Sequence, residues 1–265
     1  MSTLKIVIFT SNAIRHKFFA NSLSKQVDDC LVVVESKPQN SFKTKNNSKL
    51  TPIESHFYER YMTELEFFRN NESFLSKTLQ VPYHDANSSY VYDEVKKFHP
   101  DMIFVFGSSI LKDETLRLVP SGQFLNMHLG LSPYYRGSGT NFWPFVNNEL
   151  DYVGATILHL DPGIDTGDIV LHTRPTFENG DNVHTIGCKT IKQGTNKMIQ
   201  ILKQFKEGKK IQRTKQWSIT DGKYYLVKDF NEDALTIYQN NMRKNIIETY
   251  INSPKKNIKL IELSF

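Results

Sequence analysis

Three short apolar runs, each followed by a segment of helical spacing, constrain this chain more than any other feature. Residues 4–10 read Leu-Lys-Ile-Val-Ile-Phe-Thr, residues 31–35 read Leu-Val-Val-Val-Glu, and residues 102–106 read Met-Ile-Phe-Val-Phe before breaking at Gly107. Runs this short with so little polar alternation predict strands buried on both faces, and strands that alternate with helices belong in a parallel sheet. The expected fold class is therefore α/β with a mostly parallel sheet. Ser11 supplies a helix N-cap after the first run, and Ile14, Phe18, Phe19 and Leu23 follow at helical spacing. Thr51-Pro52-Ile53-Glu54 is a second helix start: a hydroxyl cap, a proline at the first helical position and a glutamate three residues after the cap. Beyond it Phe57, Tyr61, Leu65 and Phe68, flanked by Tyr58 and Met62, predict an amphipathic surface helix.

The 265 residues accommodate one large domain, or one domain with an appendage, at about 150 residues per domain. A helix is expected over 90–98, ending before Pro100, another over 111–118, and strands over 122–128, 153–159 and 169–172. A long packing helix over 184–205 closes a main domain of residues 1–205. Residues 206–265 read as a small α+β extension. Its parts are a hairpin of 211–218 with 223–227 around Thr220-Asp221-Gly222, a helix capped by Asn231, and a final strand over 258–265. The polar stretch 36–48 is expected to be an exposed loop whose function is not readable.

Composition excludes several classes. No apolar run approaches the roughly 18–20 residues needed to cross a bilayer, and the opening run is too short and strand-like for a secretory leader. Two cysteines, Cys30 and Cys188, make neither a disulfide framework nor a zinc spacing, so a reducing cytoplasm is expected. Residues 201–265 carry 13 Lys and Arg against 7 Asp and Glu, a net +6, whereas residues 1–200 are net −1. Such a tail suits contact with RNA or a nucleotide phosphate, although the commoner explanation of modest lysine enrichment is a solvated surface.

The residues that carry chemistry gather late in the main domain. Asn126 and His128 stand two apart at the end of a strand and so share one face, where an α/β sheet places its site. Asp165 follows in the turn Asp161-Pro162-Gly163-Ile164-Asp165-Thr166-Gly167-Asp168. An amide donor, an imidazole and a carboxylate suit stabilisation of a tetrahedral oxyanion with assisted proton transfer. The same three residues are also common as satisfied structural groups and turn caps, so the trio alone is not diagnostic.

The stretch from Asn126-Met127-His128 through Leu131-Ser132-Pro133 to Tyr135-Arg136-Gly137, with Asp165-Thr166-Gly167 beginning 37 residues after His128, resembles the 10-formyl-tetrahydrofolate-dependent formyltransferases. The resemblance runs over residues 4–205 and is sharpest over 104–171. It implies a Rossmann-like sheet with a folate donor across the strand ends, in a cytoplasmic enzyme of one-carbon metabolism. It implies that Asn126 and His128 hold the developing oxyanion and that Asp165 orients His128 and helps move the amine proton. Phe106, Gly107, Ser108, Ser109, Ile110 and Leu111 resemble the family's folate-lining loop, and Gly163 and Ile164 would meet the pterin edge. Familiar members carry Leu-Leu-Pro where this chain has Leu131-Ser132-Pro133.

Tyr135 and Trp143 suit stacking on a nucleotide base or sugar, with Arg136 near phosphate, and a buried Trp suits core packing equally. The small extension resembles that of sugar N-formyltransferases, so the expected acceptor is the amine of a small molecule, a nucleotide-linked amino sugar. The alternatives are an aminoacyl-tRNA acceptor, as in a methionyl-tRNA formyltransferase, water, as in a formyl-tetrahydrofolate hydrolase, and a folate-binding protein without turnover. A homodimer through the extension is a further expectation. Residues 136–140 lack the GxxxxGK[ST] phosphate loop, and His159 and His172 near Asp161 and Asp168 are read as hydrogen-bonded strand residues rather than metal ligands. Arg15-His16-Lys17 faces either a ligand phosphate or solvent.

Overall fold

In the computed structural model, which describes residues 3–38, 50–120 and 122–263, the first apolar run forms β1 (Lys5–Ser11) and leads into α1 (Ile14–Ser24). The loop expectation for 36–48 falls largely outside the described residues. β2 (Asp29–Ser36) pairs in parallel with β1, and β4 (Met102–Phe106) pairs in parallel with its other edge. Between them come α2 (Pro52–Phe67), β3 (Lys77–Pro82) and α3 (Ser89–Phe98). The remaining elements of the main body are α4 (Asp113–Leu116), β5 (Phe124–His128), β6 (Tyr135–Gly137), α5 (Trp143–Val146), β7 (Ala155–His159), β8 (Ile169–Thr173) and α6 (Val183–Lys206). They are followed by β9 (Lys223–Tyr225), α7 (Glu232–Arg243) and α8 (Ile246–Asn252).

Seven strands make the main sheet in the order β3-β2-β1-β4-β5-β7-β8, parallel from β3 to β5 and antiparallel at the β5-β7 and β7-β8 pairs. This is a mixed α/β, Rossmann-like architecture. Strand order reverses at β1, which has β2 on one side and β4 on the other, so the crevice of the sheet opens there. Alternation along each strand sends Ile6, Ile8, Val32, Val34, Phe104 and Met127 to one face under α1 and α6. It sends Val7, Phe9, Leu31, Val33, Ile103, Val105 and Phe124 to the other, under α3. Full burial of each such side chain contributes roughly 1.5–3 kcal/mol.

Two expectations of local chemistry change. The N-cap of α1 is Ala13, with no side-chain cap; Ser11 ends β1 instead and places its Oγ 2.6 Å from His16 Nδ1. The capping box of α2 is present as read, Thr51 Oγ1 accepting from Glu54 N–H at 3.2 Å and Glu54 Oε2 accepting from Thr51 N–H at 3.0 Å. Yet the most deeply buried residues within α2 are polar, His56 at 8% and Glu64 at 5% exposure, while its aromatic stripe is only half-buried. The helical expectation over 111–118 reduces to the single turn of α4.

The extension pairs differently from the expected hairpin. β9 runs parallel to β6, matching Tyr135–Gly137 with Lys223–Tyr225, and Thr214 bridges instead to Ile169 on β8. Over 258–263 no strand is assigned; Ile261 exchanges bonds with His172 of β8, its carbonyl accepting from the His172 N–H at 2.7 Å and its N–H donating to Nδ1 at 2.8 Å. One apolar cluster joins Tyr135, Phe142, Trp143 and Phe145 to Leu235, Tyr238, Ile246 and Ile247, so the two C-terminal helices bury their faces against the 135–146 segment.

Candidate active site

β5 is held between β4 and β7, with Asn126 opposite Val105 and Leu158, and His128 opposite Thr156. Leu125 and Met127 point into one core, so Asn126 and His128 emerge together on the other face. Thr156 Oγ1 fixes the turn beyond the strand by donating to the Gly130 carbonyl at 2.6 Å and accepting the Ser132 N–H at 2.9 Å. A Cβ at Gly130 would lie 2.6 Å from His128 Nε2, so the imidazole can occupy its position only because residue 130 has no side chain.

Asp165 arrives from the loop between β7 and β8 in the left-handed region, φ 53°, which Asp tolerates better than most residues. Its Oδ1 lies 3.2 Å from His128 Nδ1, and its Oδ2 accepts the Gly137 N–H at 3.2 Å. Gln216 clamps the loop from the extension, its Nε2 donating to the carbonyls of Asp165 at 2.6 Å and Gly167 at 2.9 Å. Inside the loop Asp161 Oδ1 accepts from Thr166 Oγ1 at 2.8 Å and from the Gly163 N–H at 3.1 Å. His128 Nε2 faces the Tyr135 carbonyl at 3.2 Å. Both ring nitrogens thus face acceptors, and only the doubly protonated ring donates to both at once. A proton arriving on His128 would therefore find a hydrogen bond already in place.

Asn126 and Asp165 open onto a cavity of about 140 Å³ that is also lined by Gly107, Ser108, Ser109, Ile110, Leu111, Gly163 and Ile164. The Asn126 carboxamide has no hydrogen-bond partner among the described residues. Glu35 sets the 107–111 wall: its carboxylate accepts the Ser109 N–H at 2.6 Å and the hydroxyls of Ser108 at 3.1 Å and Ser109 at 2.5 Å. Phe106 does not join the lining. Its ring turns to the opposite face of the sheet, 5.1 Å from that of His16 and 5.3 Å from that of Phe19, because β4 alternates and Val105 takes the cavity side. Val105, Leu158, Leu160 and Asp161 also line the cavity and were not foreseen. Alternation from Asn126 across the sheet would have found Val105 and Leu158, but nothing local in the sequence points to Gln216.

Of the two readings for Tyr135 and Trp143, their burial at 1% and 4% exposure favours core packing over ligand stacking. Trp143 stacks on Tyr225 at 4.0 Å between ring centroids and 6° between planes, and its Nε1 donates to the Ser138 carbonyl at 2.8 Å. Tyr135 bonds through its hydroxyl to Glu149 and accepts from Asn147 Nδ2 at 2.9 Å. Burial pushes the Tyr135 hydroxyl above its ordinary range. Burial also works to raise the Glu149 carboxyl, but the hydrogen bonds from Tyr135 and Lys223 outweigh it and hold the carboxyl below its usual range. Arg136 has a buried Nε that finds no hydrogen-bond partner among the described residues. His159 and His172 bond through Nε2 to the carbonyls of Gln212 at 3.0 Å and Ser132 at 2.7 Å.

Residues 4–202 match the family model described as formyl transferase. Among curated relatives, the methionyl-tRNA formyltransferase of Caldanaerobacter subterraneus subsp. tengcongensis is 32% identical over 150 residues, 56% of this chain and 48% of that protein. The chain thus spans about half the length of that relative. Two solved structures share the fold at low identity. The N-formyltransferase of Helicobacter canadensis, solved with folinic acid and dTDP-3-aminofucose, has a TM-score of 0.56 and 18% identity, over 93% of this chain and 82% of that one. The phosphoribosylglycinamide formyltransferase of Anaplasma phagocytophilum has a TM-score of 0.57 and 13% identity, over 85% of this chain and 100% of that one.

Proposed function

The chain belongs to the formyl transferase family, and on that footing we propose that it transfers a formyl group from 10-formyl-tetrahydrofolate to the amine of a nucleotide-linked amino sugar. The observation that carries the reading is the meeting of an unpartnered Asn126 carboxamide with a His128–Asp165 pair at 3.2 Å on one side of a cavity. At about 140 Å³ that cavity is smaller than the roughly 300–1,000 Å³ of a drug-sized ligand site, so it takes the heterocyclic head of the donor and leaves the rest outside. Backbone groups of 107–111 and 163–165 would hold the head. The likeness to the Helicobacter canadensis protein, whose structure holds folinic acid and dTDP-3-aminofucose, supports both donor and acceptor.

The acceptor nitrogen attacks the formyl carbon, and the carbonyl oxygen becomes an oxyanion. Asn126 Nδ2 donates to that oxygen, joined by an Nε2 proton of His128 that turns to it from the Tyr135 carbonyl. Asp165 holds the His128 ring through Nδ1, balances its positive charge and accepts the proton that the attacking amine must lose. Collapse of the intermediate breaks the bond from the formyl carbon to the folate nitrogen, which leaves as tetrahydrofolate with the proton that Asp165 took from the amine. Cytoplasmic residence belongs to the same reading, in keeping with two free, buried cysteines, and so does a homodimer through residues 206–265.

Transfer to methionyl-tRNA is the second reading, favoured by the 32% identity to the Caldanaerobacter enzyme and by the basic C-terminal segment. Tetrahydrofolate release, measured without acceptor and then with separate pools of nucleotide amino sugars and aminoacyl-tRNA, discriminates. Release that depends on the sugar pool is the expected result. Dependence on tRNA replaces the acceptor, and release with no amine present means hydrolysis.

A further inference from the structure

One line of α2 is polar: His56, Arg60 and Glu64 follow one another at a spacing of four residues, His56 and Glu64 buried and the Arg60 side chain 39% exposed. Arg15 reaches Glu64 from α1, its Nη1 lying 2.9 and 2.7 Å from the two carboxylate oxygens. Arg60 approaches the same carboxylate, Nε to Oε1 at 3.7 Å, and its guanidinium lies 4.8 Å from the centre of the Phe57 ring. Among the described residues Arg60 makes no hydrogen bond, and both bonds of Arg15 come from one nitrogen, so most of the donors of these two guanidiniums are unspent. Lys37, just past β2, donates from Nζ to the Gly107 carbonyl at 2.9 Å.

Counter-charge is short here. Glu64 serves two guanidiniums, and Glu35 is committed to Ser108, Ser109 and the His84 N–H at 3.0 Å. The sequence from 36 to 53 contains no Asp or Glu and adds Lys43, Lys45 and Lys49, so that stretch cannot supply a missing carboxylate. Burial holds the Arg60 guanidinium down at about 10, the charge of Arg15 adds to the effect, and Glu64 only partly opposes it. Burial and then Arg15 lower the Lys37 ammonium as well, against the opposing pull of Glu35. Partly buried cations without full compensation are costly in an empty site and strong binders of an anion.

The place is also apt. Gly107 separates this cluster from the donor cavity, lining the cavity on one side while its carbonyl holds Lys37 on the other. A Cβ on Gly107, whose φ is +77°, would lie 2.3 Å from His16 Nε2, so the wall between the two sites is a single thin residue. The cluster stands where strand order reverses at β1, the crevice in which open α/β sheets bind ligands.

We propose that Arg15, Lys37 and Arg60 form a diphosphate-binding site, which holds the nucleoside diphosphate end of the acceptor while its amine lies across Gly107 from Lys37, beside Asn126. This rests on the formyl-transfer reading for the identity of the acceptor, but not for the binding of diphosphate itself. Two adjacent phosphates suit two guanidiniums on one carboxylate with an ammonium at the neighbouring strand end, whereas an RNA strand spreads its charge along a surface.

Titration calorimetry of the full chain with inorganic pyrophosphate tests the site. The wild type should bind one pyrophosphate, and Lys37→Gln and Arg60→Gln should each weaken binding about tenfold, as for loss of one charge-assisted contact. Arg15→Gln alone would leave Glu64 buried without its partner, so the double change Arg15→Gln with Glu64→Gln tests Arg15 in a chain checked for unaltered melting. Affinity for 10-formyl-tetrahydrofolate, followed by fluorescence, should stay the same in Arg60→Gln and in the double variant, neither of which touches the donor cavity. No pyrophosphate binding by the wild type, or equal binding by the Lys37 and Arg60 variants, overturns the site. So does tRNA binding through these residues without pyrophosphate binding. Pyrophosphate held by these residues in a protein that never releases tetrahydrofolate supports the site and overturns the formyl-transfer reading instead.

Discussion

The strand end at Asn126 and His128 and the aromatic platform at Tyr135 and Trp143 are close neighbours in the chain, and they spend their polar atoms in opposite ways. At the platform nearly every donor and acceptor is closed within the protein: Trp143 on Ser138, Tyr135 on Glu149 and Asn147, Tyr225 on Asn147. At the strand end the Asn126 carboxamide is left open, while His128 and Asp165 are fixed from behind by Tyr135, Gly137 and Gln216. Platform side chains hold the molecule together, and through the backbone of Tyr135 and Gly137 they also aim the site. The difference teaches that residue type does not separate support from chemistry. What separates them is whether a polar atom has already been satisfied.

The sharpest way to break this contrast is to remove the open groups. Asn126→Ala, His128→Ala and Asp165→Ala should each lower kcat/KM for formyl transfer by about 10²–10³ or more while melting close to the wild type. A large loss of stability in Asn126→Ala would move that residue to the supporting side. Conversely, Trp143→Ala should cost about 3–5 kcal/mol in denaturant unfolding, with Tyr225→Ala somewhat less, while the protein that remains folded keeps most of its turnover. A specific loss of acceptor affinity in Trp143→Ala at full stability would restore the discarded stacking role.

A third test uses acid. Burial lowers His56 to about 4, and burial together with the neighbouring His56 and Arg60 lowers His184 to about 3, so both rings are neutral in the folded state near neutrality. In the unfolded chain each takes up a proton near pH 6.5, and the unfolded state therefore binds more protons below that pH. Stability should be full above pH 6.5, fall as pH drops through the interval down to about 4, and stop falling on their account below about 3. Their rings lie 4.5 Å apart against the Phe142, Phe230 and Tyr238 packing, so His56→Gln should flatten the slope in urea unfolding measured across this range. The smallest effect is expected for Gln216→Ala, which unclamps the Asp165 loop without touching a reacting group. A fall in kcat of several-fold, with the pH profile displaced, would mark it as a positioning residue.

Legibility from sequence follows the same division. The three apolar runs announced β1, β2 and β4 because fully buried strands need no partner to be recognised. The exposed edge strand β3 carried no such pattern, since its residues are half solvated. Asn126 and His128 could be singled out because a spacing of two at a strand end is local, and Asp165, 37 residues beyond His128, is brought to 3.2 Å from it only by the fold. Tyr135 and Trp143 left two readings open because their stacking partner, Tyr225, stands far along the chain on a strand that pairs in parallel with β6, a pairing that no turn signal encodes. The Arg15, Lys37 and Arg60 cluster was half visible: Arg15-His16-Lys17 stood out, but only folding brings α2 beside α1 and shows which of those three side chains meets Glu64.

The clamp from Gln216 onto the Asp165 loop bears on how this molecule is born. A ribosome delivers Asn126, His128 and Asp165 long before Gln216, and the strand that buttresses β6 later still. A nascent chain stopped at residue 206 would hold the three residues proposed to react and lack Gln216 and β9, which brace the segments around them. On the formyl-transfer reading, the site would be set only once residues 216–225 have emerged, well after the last strand of the main sheet.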